Sequence, residues 1–247
     1  MTDEQLARAL GLYAGMVAKV LSAPQRWLGL DEDPPPSAPL PRRALDALRD
    51  RALGEVTPAS AAWPQQPLPR RVDWWVTRIG ISAGLAAAAP RVAGALSDRV
   101  PLQAALGASA AGLAVCATAR EHGRTEPAQW VPLLARVLFD RELPPVAGSV
   151  PAADAAEQQL EGGAGGDGGG DGGGAQRAAR TVWRLARALF GVQDLLDERP
   201  RGSLLTRAVG KLPVVGVAGG WLDERGGIRR ASRETADLLD PGAAQRR

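Results

Sequence analysis

The chain has 247 residues, enough for one or two domains with a sizeable core. Hydrophobic residues make up 45% of it but aromatic residues only 4%, isoleucine occurs three times and asparagine never, so the vocabulary suits helices and linkers and is poor in strand formers. Thirty basic against 27 acidic residues leave a net charge of +3, less surplus than a general nucleic-acid binder carries, and one cysteine and one histidine exclude a disulfide framework and a Cys/His zinc site.

Residues 3 to 22 repeat apolar groups at Leu6, Leu10, Tyr13, Val17 and Leu21, the spacing of one helical face, and Pro24 marks the stop. The amino terminus carries acids where a secretory signal would carry positive charge, so no targeting segment is expected and a cytoplasmic chain fits. We treat 1–30 as an N-terminal amphipathic helix. Residues 31–70, rich in proline and interrupted by one short charged helix, read as a stiff connector, an arm rather than a core.

From Asp73 the chain turns to long runs of small apolar residues. Two antiparallel helices, about 76–96 and 100–119, account for these runs, with Gly123 as the C-terminal stop, and a third helix follows over about 127–142 with Thr125 as N-cap and Pro127 in its first turn. Together they make a unit over 71–145. Residues 146–175 form a linker whose Gly162–Gly174 stretch cannot bury apolar surface and has a coil span of roughly 20 Å. The last unit, 176–247, holds an amphipathic helix over about 176–198, the apolar run 212–222 and a final helix over about 228–239. The fold class is therefore all-α, a helical bundle built on a small-residue hairpin with Pro-rich and Gly-rich linkers.

Both hairpin helices have two unlike sides. Ile81, Leu85, Val92 and Leu96 lie opposite Gly80, Ala83, Gly84, Ala87 and Gly94, while Leu102, Leu106 and Leu113 lie opposite Ala104, Gly107, Ala108 and Ala111. Small residues four apart permit close helix approach, in membranes and in tight soluble hairpins alike. The expected helix-packing positions are Gly80, Gly84, Gly107, Ala108 and Ala111, with Gly216 and Gly220 in the later apolar run. Val100 to Ala119 is uncharged for 20 residues, yet its polar and small residues offset most of the gain from insertion, and Arg91 penalises the first helix. A stable transmembrane hairpin is not expected.

In the helix over 176–198, Arg177, Arg180, Arg184 and Arg187 line one side and Val182, Leu185, Leu189, Val192 and Leu196 another, with Trp183 and Phe190 between. That pattern suits an interfacial helix on anionic lipid, or a helix packed on a core with solvated arginines. Trp74, Trp75 and Trp221 at the ends of apolar runs read equally as interface anchors or as caps on a core.

Catalytic patterns are weak. Gly80-Ile81-Ser82-Ala83-Gly84 matches the nucleophile-elbow spelling, but the one histidine, His122, follows 40 residues later and no oxyanion loop precedes Ser82. Cys116 and His122 point about 240° apart on one helix and would not meet. The opening of a calcium nonapeptide at Gly162–Asp167 has no repeat, and Gly210-Lys211 lacks the upstream glycine of a phosphate loop. No catalytic residue, cofactor or metal is expected.

The order of elements from Asp73 onward resembles the EcsC family of bacterial proteins. The resemblance is carried by Asp73-Trp74-Trp75, by Ala83-Gly84-Leu85 and Pro90, by Gln103 and the Ala-Gly-Leu-Ala before His122-Gly123, and above all by the run from Leu212 through Pro213-Val214-Val215-Gly216 to Gly220. It covers about 73–145 and 177–240. It implies a largely helical protein, cytoplasmic or membrane-associated, from a family named for an operon encoding an ABC transporter, with no catalytic residues to carry over. The leading expectation is a non-enzymatic protein lying peripherally on the cytoplasmic face of the membrane, as an accessory to a membrane transporter. A helical scaffold with mutually buried apolar faces is the alternative, and a serine hydrolase using Ser82 a remote one.

Overall fold

The computed structural model describes residues 2–28, 56–88, 102–144, 174–194 and 220–244. Among these every regular element is helical.

Helix α1 spans Asp3–Ser22. Thr2 and Gln5 form a reciprocal capping box, with Thr2 Oγ1 accepting from the Gln5 amide at 3.2 Å and Gln5 Oε1 accepting from the Thr2 amide at 3.0 Å. Its predicted stripe is buried, and so are Ala14, Met16 and Val20 beside it, because α1 is covered on more than one side. A break at Ala23 leads into the short α2, Pro24–Leu28.

The part of the Pro-rich connector that is described does not behave as a free arm. Residues 56–66 fold into a turn and a 3₁₀ turn at Trp63–Gln65, and Trp63 is buried in the core. Helix α3 then begins at Leu68 and runs to Ala88, earlier than the apolar run suggested. Pro69 permits this because the first turn of a helix has no internal partner for its amides.

Helix α4, Leu102–Glu121, ends in the manner that Gly123 predicts. With φ +84 at Gly123, the Gly123 amide donates to Arg120 O and the Arg124 amide to Ala119 O, closing a Schellman motif. Helix α5, Pro127–Phe139, has Pro127 at its first position but is preceded by Glu126, not Thr125, and that cap makes no side-chain hydrogen bond. Asp140, with φ 53, ends it. Helix α6 spans Gly174–Asp194, α7 spans Gly220–Leu239 and a final turn, α8, spans Pro241–Ala244. Thus α7 starts within the predicted apolar run, well ahead of residue 228.

The architecture is organised around α4. It packs against α1, α3, α5, α6 and α7, and every residue from Ala108 to Ala119 is buried. A helix apolar all round must be enclosed, by lipid or by protein, and here it is enclosed by helices. Arg71 and Trp75 at the start of α3 meet Glu121 at the end of α4, so the two helices are antiparallel, as the hairpin reading requires. No helix among the described residues is long and apolar enough to cross a membrane.

The few polar groups of α4 tie it to its neighbours. Tyr13 Oη donates to Ser109 O at 2.7 Å, Ser109 Oγ to Val182 O at 3.3 Å, and Thr118 Oγ1 bonds Ser232 Oγ at 2.8 Å. Arg120 reaches the Leu21 carbonyl at the end of α1. Ser109 and Thr118, which count against insertion into lipid, serve in this core as cross-links, since a buried hydroxyl must find a partner.

Candidate interaction surface

Small residues pack the centre, though not at every expected position. Gly80, Ala108 and Ala111 are buried. At Gly107, by contrast, an added Cβ would meet nothing within 4 Å outside its own helix, so this glycine is not a point of close approach. Gly112 is that point: a Cβ there would lie 2.7 Å from Tyr13 Oη and 3.0 Å from two ring carbons. Gly84 and Gly220 lie within α3 and α7, and Gly216 lies outside the described residues, as do Gly162–Gly173 and the Gly210-Lys211 pair.

The residues considered for chemistry are held in packing roles. Ser82 sits inside α3 with 1% of its surface exposed, so the strand-to-helix turn that a nucleophile elbow needs is not formed around it. Cys116 is buried in α4, which pushes its thiol well above the ordinary range, and burial likewise raises the Tyr13 phenol. His122 lies just past α4. Partial burial lowers its pKa, Asp240 and Glu121 pull it up and Arg71 adds to the lowering. Among the described residues no group of three His, Cys, Asp or Glu side chains could hold a metal ion.

Helix α6 divides its residues as its amphipathic pattern predicts, but the leucine side faces protein. Val182, Leu185 and Leu189 are buried against the bundle, and α6 packs on α1, α2, α3 and α4. Thr181 Oγ1 donates to Trp27 O at 2.7 Å, fixing α6 to the end of α2. On the other side Arg177, Arg180, Trp183 and Arg184 are half-buried and Arg187 is exposed, its guanidinium 5.8 Å from the centre of the Trp183 ring. In the hairpin, Leu106 and Leu113 are covered as well, and the side chain of Leu102 lies outside the description. Of the faces expected to meet lipid, Leu106, Leu113, Val182, Leu185 and Leu189 therefore belong to the core, Ile81 is half-buried, and the burial of Leu85, Val92 and Leu96 lies outside the description.

Sequence reading missed the cluster at the junction of connector, α3 and α4. Trp63, Trp74 and Trp75 pack edge to face with centroids 5.0 to 6.5 Å apart. Glu121 is enclosed beside them: its Oε1 accepts from Trp75 Nε1 at 2.8 Å and Trp63 Nε1 at 3.3 Å, and its Oε2 pairs with Arg71 at 2.9 Å. An acid closing a run of 22 residues with no other acid, Arg99 to Arg120, was the available signal, because a carboxylate that ends a buried helix must collect donors. The tryptophans cap a core here.

The outer side of α7 carries a set of exposed charges that the sequence did not single out. Arg229, Arg230, Arg233, Glu234, Asp237 and Leu238 are all exposed there, while Ile228, Ala231, Ser232 and Thr235 are buried beneath them. Comparison with known proteins finds no matching family model, no matching curated protein and no matching solved structure.

Proposed function

We propose that the chain is a non-enzymatic helical module that works by holding a protein partner, with its apolar faces spent on its own core. One observation carries this reading: Leu106, Leu113, Leu185 and Leu189 are each at most 2% exposed, so the surfaces that would otherwise enter lipid are occupied by helices. The resemblance to the EcsC family points the same way, since it implies a helical protein without catalytic residues.

A second reading, peripheral contact with an anionic membrane beside a transporter, is favoured by the exposed Arg187 and its half-exposed companions on α6. It would be purely electrostatic and would weaken as salt shortens the Debye length. Flotation of the full chain with neutral and anionic vesicles at low salt separates the two. The partner-holding reading expects the chain to stay unbound in both. Binding to anionic vesicles alone, lost when Arg177, Arg180, Arg184 and Arg187 are changed to Gln, would replace it with the membrane reading. Binding to neutral vesicles would overturn the argument from burial itself.

A further inference from the structure

From residue 226 onward the exposed charges of α7 are sorted along the helix. Arg229, Arg230 and Arg233 come first, and Glu234 and Asp237 follow. Asp223 and Glu224 stand at the start of α7, where the helix macrodipole favours acids, whereas Arg229, Arg230 and Arg233 lie mid-helix beyond its reach, so the macrodipole does not set this order. Arg230 and Glu234, and likewise Arg233 and Asp237, stand four apart in the less favourable order, and neither pair forms an ion bridge. An open groove of about 830 Å³ runs along these side chains. Leu238 is 45% exposed at one end of it, and at Gly226, near the other, an added Cβ would meet nothing within 4 Å.

We propose that this face of α7 binds the same face of a second copy of the chain, antiparallel about a twofold axis. Leu238 and Gly226 are symmetric about residue 232, and so are Arg230 and Glu234. One register therefore sets Leu238 over the open glycine of the second copy and each Arg230 opposite a Glu234. Asp237 then falls within a turn of Arg229 and Arg230 across the axis. The contact is isologous, so every favourable pair occurs twice. Charge balance selects this occupant: an anionic membrane or an acidic peptide would satisfy the arginines and repel Glu234 and Asp237, whereas an antiparallel copy presents the opposite order of charges. One helix face is a small interface, below about 1,200 Å² in all, so the dimer is weak and salt-sensitive. It does not rest on the partner-holding reading, and either can fail without the other.

Sedimentation velocity of the full chain at low salt tests it. The expected result is a mass that rises with concentration from 25.7 kDa toward twice that value and falls back in high salt. The variants Arg230→Glu/Arg233→Glu and Glu234→Arg/Asp237→Arg should each stay monomeric with unchanged helix content, and mixing them should restore the dimer. Should either double change lose helix content, Arg230→Glu and Glu234→Arg alone carry the same test. A wild type that is monomeric at every concentration overturns the proposal, as does self-association of the reversed variants or a mixture that fails to recover. A monomer that sediments with anionic vesicles, and loses that binding in Arg230→Glu/Arg233→Glu, would reassign the face to lipid.

Discussion

Helices α4 and α6 are 20 and 21 residues long and solve the problem of burial in opposite ways. Helix α4 has no outer side over its middle three turns; five long helices cover it, and alanine and glycine let them approach. Helix α6 keeps two unlike sides, with leucines on the bundle and, away from them, Arg187 exposed and Arg177, Arg180 and Arg184 half-buried. Each pattern taken alone resembles a membrane device, the first a spanning helix and the second an interfacial one. The difference teaches that apolar content says how much of a helix is enclosed, while the partner that encloses it is set elsewhere in the chain.

The contrast breaks most visibly at its leucines. Leu113→Ala in α4 and Leu185→Ala in α6 should each cost about 2–5 kcal/mol in denaturant unfolding, because both side chains are wholly enclosed. Arg187→Gln should stay within about 0.5 kcal/mol. A Leu185→Ala variant as mild as Arg187→Gln would mean that α6 is not seated on the bundle.

Next in size is the closure of α4. Removing the Glu121 carboxylate as Glu121→Ala leaves two indole N–H groups and Arg71 without their acceptor, at a cost of about 2 kcal/mol. Indole emission should shift to longer wavelength as residues 56–66 loosen. An unchanged spectrum would show that Trp63 is held by ring packing alone.

The smallest effects are those of pH. A histidine whose folded pKa is lowered binds fewer protons folded than unfolded, so its contribution is present above about 6.5 and declines as pH falls below that value. The wild type should lose a little thermal stability on acidification through this window relative to His122→Gln. On the alkaline side the signs reverse, since the raised Tyr13 and Cys116 groups keep their protons in the fold, and stability should fall as pH climbs past about 9. Cys116 should resist alkylation until the chain unfolds, and prompt labelling of the native protein would contradict its burial in α4.

Much of the fold was legible residue by residue. The Leu6, Leu10, Tyr13, Val17 and Leu21 spacing marks out α1 over the span observed, and Gly123 and Pro127 mark the turn between α4 and α5. Other features were hidden. Prolines suggested a free connector, but Trp63 has enough apolar surface to dock it. Gly107 and Gly112 look alike in sequence, and only the position of Tyr13 makes the second the close contact.

Periodicity, caps and stops act within a turn or two of the chain, so the sequence by itself determined the helical class, the two-sided pattern of α6 and the ends of α1 and α4. Which side of each helix is covered depends on groups far apart in sequence. Tyr13 meets Ser109 across 96 positions and Thr118 meets Ser232 across 114. The tertiary structure alone decided that the leucines of α4 and α6 face other helices, that Glu121 gathers three donors, and that the sorted charges of α7 are left outside. Burial belongs to pairs of surfaces, and a single helix carries only one member of each pair.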